Sequence, residues 1–288
     1  MLTFKQFLFE GGKETASFNT ERANSNDIKK AIAIVSKVLG DSKTTLEDQL
    51  LGTVSLTLQG KKKDSGDIDM AYPIEKMEEA NRKMLSHTNN EGRLNTGTKV
   101  GSYALDVGGK KVQLDLMFVK DIEFAKFGYH SAQGDGSKYP GAVRNIILTT
   151  ALAHVQEPGK DFVHRDADGT VLARASRSIK LGDGMERLFK MRRKNKKTGE
   201  YLKSLDNATP EELMAEYGNK FKFSKEIETI TDPNKVAEFI FGIGVKAKDI
   251  MTAEDVIKHI KKMKNATEVL AASKEQLAQA KLPIPSEL

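Results

Sequence analysis

Apolar residues recur along this chain with two periods, and the switches between them mark its elements. From Asp27 to Leu39 they fall at Ile28, Ala31, Ile32, Val35, Val38 and Leu39, one face of a helix, and Gly40 supplies the stop. An apolar run from Gln49 to Leu58 predicts a strand, and Asp67 to Tyr72 predicts another. Pro73 to Leu85 predicts a helix with a wet face, and Thr98 to Val107 and Lys110 to Val119 predict strands joined at Gly108-Gly109, a hairpin signal. Ala142 to Val155 predicts an apolar helix, and Phe162 to Leu181 a second hairpin turning at Asp166-Ala167-Asp168-Gly169. From Thr209 onward the pattern is helical, with N-caps at Thr209, Asp232 and Thr252, the first two followed by proline. The class is therefore α+β, and the segments fall at 1–26, 27–185, 186–208 and 209–288, with a frayed tail around Pro283 and Pro285.

Two carboxylates, Asp67 and Asp69, interrupt the apolar run that continues through Ile68, Met70, Ala71 and Tyr72. In a strand they share a face while Ile68 and Met70 enter the core. Side by side, each raises the cost of ionising the other unless a cation lies between them. The strand Lys111 to Val119 places Leu114, Leu116 and Phe118 on one face and Gln113, Asp115 and Met117 on the other. If it lies beside the first strand, three acids converge, as a two-metal phosphoryl-transfer site with ions about 3.5 to 4 Å apart requires. Such oxygen ligands select magnesium or manganese over zinc. Taken alone, the Asp67/Asp69 pair also suits a solvated strand edge or a turn, and Lys61 to Lys63 suit either a solvated loop or phosphate contact.

Gly52-Thr53, thirteen intervening residues, Asp67-Ile68-Asp69 and the later Asp115 resemble the pattern of the DNA polymerase beta-like nucleotidyltransferase superfamily. Thr53 stands where serine is commoner and keeps the hydroxyl, and Ser65-Gly66 fits the superfamily's lead-in to the acid pair. The resemblance covers roughly residues 28 to 120. It implies a catalytic unit over 27–185, a mixed β-sheet with flanking helices. It further implies that Gly52 and Thr53 open onto a nucleoside triphosphate with Ser65, Gly66 and Lys62 nearby. Asp67 and Asp69 would bind two Mg2+ or Mn2+ ions, and Asp115 would complete the site next to the attacking hydroxyl. In the superfamily the segment after the third acid helps hold base and sugar, which makes Lys138, Tyr139 and Arg144 candidates; the alternative there is a loop and a helix start with a solvated arginine.

Composition narrows the setting. The 288 residues carry 46 Lys plus Arg against 40 Asp plus Glu, a net +6, and no cysteine. Disulfides, thiol nucleophiles and cysteine zinc sites are excluded, and a reducing compartment is compatible. No apolar run is long enough to span a membrane, and the opening Met1 to Phe9 lacks the core of a signal peptide. It reads as a short amphipathic helix before Gly11-Gly12, and Thr3-Phe4-Lys5-Gln6-Phe7 resembles the start of tailed-phage proteins. A cytoplasmic location, in a bacterium or a virus-infected cell, is expected.

Charge is concentrated between Glu186 and Lys203, where eight basic residues face two acidic ones. Arg192, Arg193, Lys194, Lys196 and Lys197 are either contacts to a polynucleotide backbone or part of a solvated linker. Phe241-Gly242-Ile243-Gly244 resembles the turn of helix-hairpin-helix modules, against a plain glycine C-cap. Asp166 and Asp168 suit a turn better than a calcium loop. The five histidines, His130 among them, show no ligand spacing. The expected activity is transfer of a nucleoside monophosphate to a hydroxyl on an RNA or DNA end. Transfer to a small molecule or protein is the alternative, and a non-catalytic nucleic-acid-binding or virion-associated protein a further one.

Overall fold

The computed structural model describes residues 18–131, 134, 136–155, 163–165, 171–180, 182–191, 193–194, 201–202 and 228–288. The chain enters through a two-residue strand β1 (Ala23–Asn24) and the helix α1 (Ser25–Leu39), followed by α2 (Lys43–Asp48) and α3 (Gly52–Leu58). Strands β2 (Asp64–Ser65) and β3 (Ile68–Pro73), helix α4 (Met77–His87), and strands β4 (Gly92–Asn95), β5 (Val100–Asp106) and β6 (Lys111–Val119) complete the first unit. Its sheet runs β3-β6-β5-β4, with β3 parallel to β6 and the other pairs antiparallel. The mixed sheet with flanking helices agrees with the expected α+β class.

Helix α1 starts in a reciprocal cap, the Asn24 side chain accepting from Asp27 N while Asp27 accepts from Asn24 N, and ends at Gly40 in the left-handed region, φ 88°. Its buried face, Ile28, Ala31, Ile32 and Val35, shares one apolar cluster with Ile68, Met70 and Tyr72 of β3 and Leu114, Leu116 and Phe118 of β6. Unit and core begin before residue 27, because Ala23 is buried and β1 pairs with β2.

The predicted strand over Gln49 to Leu58 is instead a single bridge, Leu50 to Met70, followed by α3. Val54, Leu56 and Leu58 alternate in sequence as a strand would, yet Val54 and Thr57 are the buried pair, which is helical spacing. Gly52, at φ 57°, turns the chain where the extended run would have continued. Strand β4 was not expected, since Gly-Arg-Leu-Asn offers one apolar side chain.

Beyond β6, helix α5 (Ile122–Gly128) and the apolar helix α6 (Gly141–Ala153) lead into a second sheet built from β7 (Val163–Arg165), β8 (Val171–Lys180) and β9 (Gly184–Met191). Strands β10 (Arg193–Lys194) and β11 (Tyr201–Leu202) pair with each other, and β12 (Glu228–Ile230) completes the four-stranded order β12-β9-β8-β7. The hairpin expected over 162–181 is present as β7 and β8. The basic stretch from Glu186, however, is no linker at its start: through Met191 it is strand β9, and its dense charge had masked the alternation of Met185, Phe189 and Met191.

Helices α7 (Pro233–Phe241), α8 (Ala253–Ile260) and α9 (Ala266–Gln279) form the C-terminal layer, and Gly242 caps α7 at φ 101°. Gly244 gives its amide to the Glu238 carboxylate at 3.3 Å, so the Gly-Ile-Gly turn is a helix cap whose amide holds an internal acid. Val143, Ile146, Ile147 and Ala151 of α6 share a core with Val236, Val256 and Val269. α6 therefore packs with the C-terminal helices, while Leu51, Ala71, Val119 and Ala125 form a small third cluster that spans residue 120. The tail is packed too: Leu288 lies on this core, and Tyr139 hydrogen-bonds Glu287.

Arg144 ties these parts together. It is fully buried, with Nε donating to Ile250 O at 2.8 Å, Nη1 to Phe127 O at 2.9 Å, and its guanidinium 4.3 Å from the Phe127 ring centre. Burial lowers its pKa to about 10. Arg144→Ala leaves buried carbonyls without donors and a cavity, and should cost about 3 kcal/mol or more in denaturant unfolding. Arg144→Lys should recover little of that, because one ammonium cannot reach both carbonyls as the planar fork does; a loss below about 1 kcal/mol for either would contradict this role.

Candidate metal centre

Parallel pairing of β3 with β6 sets Asp69 directly beside Asp115, and Asp67 precedes β3 by one residue on the same face as Asp69. One carboxylate oxygen from each of Asp67, Asp69 and Asp115 lies within 4.8 Å of the others. Three acids, predicted from two separate segments, are brought together by the sheet.

Their environment raises the cost of ionising all three. Asp69 is pushed well above the usual carboxylate range, first by burial and then by the charges of Asp67 and Asp115. Burial also raises Asp67, opposed by its own backbone amide and by the positive charges of Arg22 and Lys62. Asp115 rises to about 6 through burial and the nearby Asp67, while hydrogen bonds from Ser102 and Gln113 pull the other way. Gln113 Nε2 donates to both Asp115 oxygens, at 3.0 and 2.9 Å. Among the described residues none of the three acids forms an ion pair. A hard divalent cation is the partner that a buried set of oxygen ligands fits.

Gly52 and Thr53 border this cluster. Leu51 N donates to Asp69 O at 3.0 Å, which lays the start of α3 across β3. A Cβ at Gly52 would sit 3.9 Å from Asp69 Oδ2 and 3.8 Å from Tyr129 O, so the glycine backbone approaches the acids as closely as a side chain elsewhere would. Thr53 Oγ1 lies 3.2 Å from the Oγ of buried Ser65, placing two hydroxyls beside the acids' lead-in. Gly66 follows, then Asp67. Lys62 bonds through its amide to Leu56 O at 3.3 Å, and its charge reaches Asp67.

The later candidates face elsewhere. Arg144, expected either near the nucleotide or in solvent, is in neither place: it is the buried tie described above. Lys138 donates its backbone amide to Glu254 Oε1 of α8 at 3.1 Å, and Tyr139 Oη meets Glu287 of the C-terminal tail at 3.3 Å. Arg193 and Lys194 form β10, while Arg192, Lys196 and Lys197 lie outside the described residues. So do the expected N-terminal helix, the Asp166 to Gly169 turn and the Thr209 N-cap.

Three contributors escaped the sequence reading. Ser102 faces Asp115 across the hairpin, and counting outward from the Gly108-Gly109 turn would have found it. Gln113 shares Asp115's strand face two residues away. Arg22 has no local signal, because its place depends on β1 pairing with β2.

No protein-family model, curated protein or solved structure matches this chain. What the centre can do is read from its own atoms.

Aspartate in an unfolded chain titrates near pH 4, and Asp115 here near about 6. The folded chain therefore binds protons on this cluster more tightly than the unfolded chain. Below pH ~4 both states are protonated and the cluster costs nothing; as pH climbs through ~6 the folded state loses stability that only a cation restores. Asp69→Asn should then raise the metal-free melting temperature at pH 7.5, by roughly 2–4 °C per kcal/mol of repulsion relieved, with the gain gone at pH ~4. Magnesium should raise the melting temperature of the wild type and not of the variant. A variant that melts lower than wild type without metal, or responds equally to magnesium, would refute the cation site.

Proposed function

We propose that the chain is a divalent-metal-dependent nucleotidyltransferase, moving a nucleoside monophosphate from a nucleoside triphosphate to a hydroxyl and releasing pyrophosphate. The observation that carries this reading is the meeting of Asp67, Asp69 and Asp115 within 4.8 Å, with Gly52, Thr53 and Ser65 at their edge. The acceptor hydroxyl gives up its proton to solvent, its oxygen bonds to the α-phosphorus, the α–β anhydride bond breaks, and pyrophosphate leaves. Asp67, Asp69 and Asp115 would hold magnesium or manganese, which when bound would supply positive charge for the attacking and leaving oxygens. The chain's own groups position the reactants. Gly52 allows a phosphate to approach the backbone, Thr53 and Ser65 offer hydroxyl donors, and Lys62 adds charge at the rim. Asp115, oriented by Ser102 and Gln113, is assigned to the side of the acceptor hydroxyl.

A nucleic-acid end is the proposed acceptor. Supporting it is the basic stretch from Arg187 to Lys203, together with a register that sets Arg174 opposite Lys190 and Arg177 opposite Arg187. A concentration of positive charge in the sequence suits a polyanion. Among the described residues no helix is long and apolar enough to cross a membrane, and with the absence of cysteine this supports placing the reaction in the cytoplasm of a bacterium or virus-infected cell.

Incubation with each labelled triphosphate, magnesium, and RNA, DNA, protein or small-molecule fractions should label RNA or DNA. Asp67→Asn should lower incorporation by more than about a hundredfold, and Ser102→Ala by about ten- to a hundredfold, because the serine only orients a ligand. Label confined to protein or small molecules would reassign the acceptor, and full turnover by Asp67→Asn would remove the acids from the reaction.

A further inference from the structure

Arg22 lies at the edge of the metal centre without bonding to it. The backbone around it is fixed on two sides: Ala23 pairs opposite Ser65 in β1–β2, and Lys110 Nζ donates to Arg22 O at 2.7 Å. The side chain is fixed at one edge, Nε donating to Asp64 Oδ1 at 2.7 Å. Asp64 is not one of the three clustered acids, so this bond orients the guanidinium and leaves those acids to their cations. Nη1 comes within 3.5 Å of where a Cβ on Gly66 would lie, one residue before Asp67. The Arg22 side chain is 59% exposed, and among the described residues its Nη groups have no hydrogen-bond partner.

Charge explains why an anion would be held here. Three carboxylates matched by two divalent ions leave one positive charge, and Arg22 and Lys62 add two more at the same rim. An occupant of such a rim is strongly anionic. A guanidinium anchored at Nε presents its Nη pair as a planar fork, the geometry that grips two phosphate oxygens at once.

We propose that Arg22, oriented by Asp64, grips the phosphates that leave as pyrophosphate and gives this site its preference for a nucleoside triphosphate over a monophosphate. This rests on the nucleotidyl-transfer reading for the identity of the anion. The Asp64 carboxylate is a positioning group: it holds Nε, and the Nη edge meets the ligand.

The test is calorimetric binding of ATP and of AMP to the magnesium-loaded full chain, for wild type, Arg22→Ala, Arg22→Lys and Asp64→Asn. Arg22→Ala should weaken ATP binding about ten- to a hundredfold and AMP binding less than about twofold. Arg22→Lys should recover part of the loss, through charge without the fork. Asp64→Asn should weaken ATP to an intermediate degree, because charge is kept and orientation lost. Manganese affinity and melting temperature should stay at wild-type values, which separates this loss from unfolding or loss of the metal. ATP binding unchanged in Arg22→Ala, beside saturable binding in wild type, would overturn the role of Arg22 alone. Absence of saturable ATP binding in wild type would overturn it together with the nucleotidyl-transfer reading.

Discussion

Parallel pairing of β3 with β6 confronts Asp69 with Asp115, and the rest of the centre follows from how that confrontation is tolerated. Two unit charges within 4.8 Å repel by at least about 3 kcal/mol at an effective dielectric near 20. The strands cannot slide apart to relieve it, because the alternate residues Ile68, Met70, Leu114 and Leu116 are fully buried in the first core. A one-residue slip would turn those side chains out and the acids in. The core therefore enforces a repulsion that no ion pair among the described residues cancels. Ser102 and Gln113 soften it at Asp115, and Arg22 and Lys62 at Asp67; Asp69, between them, is left with burial and two like charges.

The second unit contributes a wall to this centre. Asn145 Nδ2 donates to Gly128 O at 2.8 Å and Arg144 to Phe127 O, which fixes the end of α5. The next carbonyl, Tyr129 O, lies in ordinary contact range of Gly52, 3.8 Å from where a Cβ there would sit. A second tie runs from the β8–β9 turn, where Lys120 N donates to Gly182 O at 3.1 Å and Lys99 pairs with Asp183 at 3.0 Å. The C-terminal helices thus bear on the centre through backbone carbonyls. Arg144, expected near a base and sugar or in solvent, serves that packing instead.

Much of this was legible from local patterns. The alternation in Asp67 to Tyr72 and Lys111 to Val119, with the Gly108-Gly109 turn, is enough to build β3, β5 and β6 and to put three acids on one face. Helix α1 was legible because its apolar spacing and both caps agree. The misreadings share a cause, which is that local pattern and tertiary environment disagreed. Val54, Leu56 and Leu58 alternate, but the glycine turn and the core demanded a helix. The charges of β9 resembled a linker because they obscure its apolar alternation, although its partner β8 immediately precedes it. An arginine in an apolar helix looked solvated because nothing nearby in sequence announces the carbonyls of Phe127 and Ile250. Arg22 was invisible for the same reason, its place being set by a strand pair 42 residues apart.

The central claim is that an enforced cluster of acids exists to hold divalent cations. Titration of the metal-free chain with manganese, followed by the paramagnetic resonance of the free ion, measures that directly. Saturable uptake near neutral pH, abolished in Asp69→Asn and displaced by magnesium, is the result expected. A manganese signal that rises in wild type as in buffer alone would mean that the three carboxylates hold no metal, and the functional reading would fall with it.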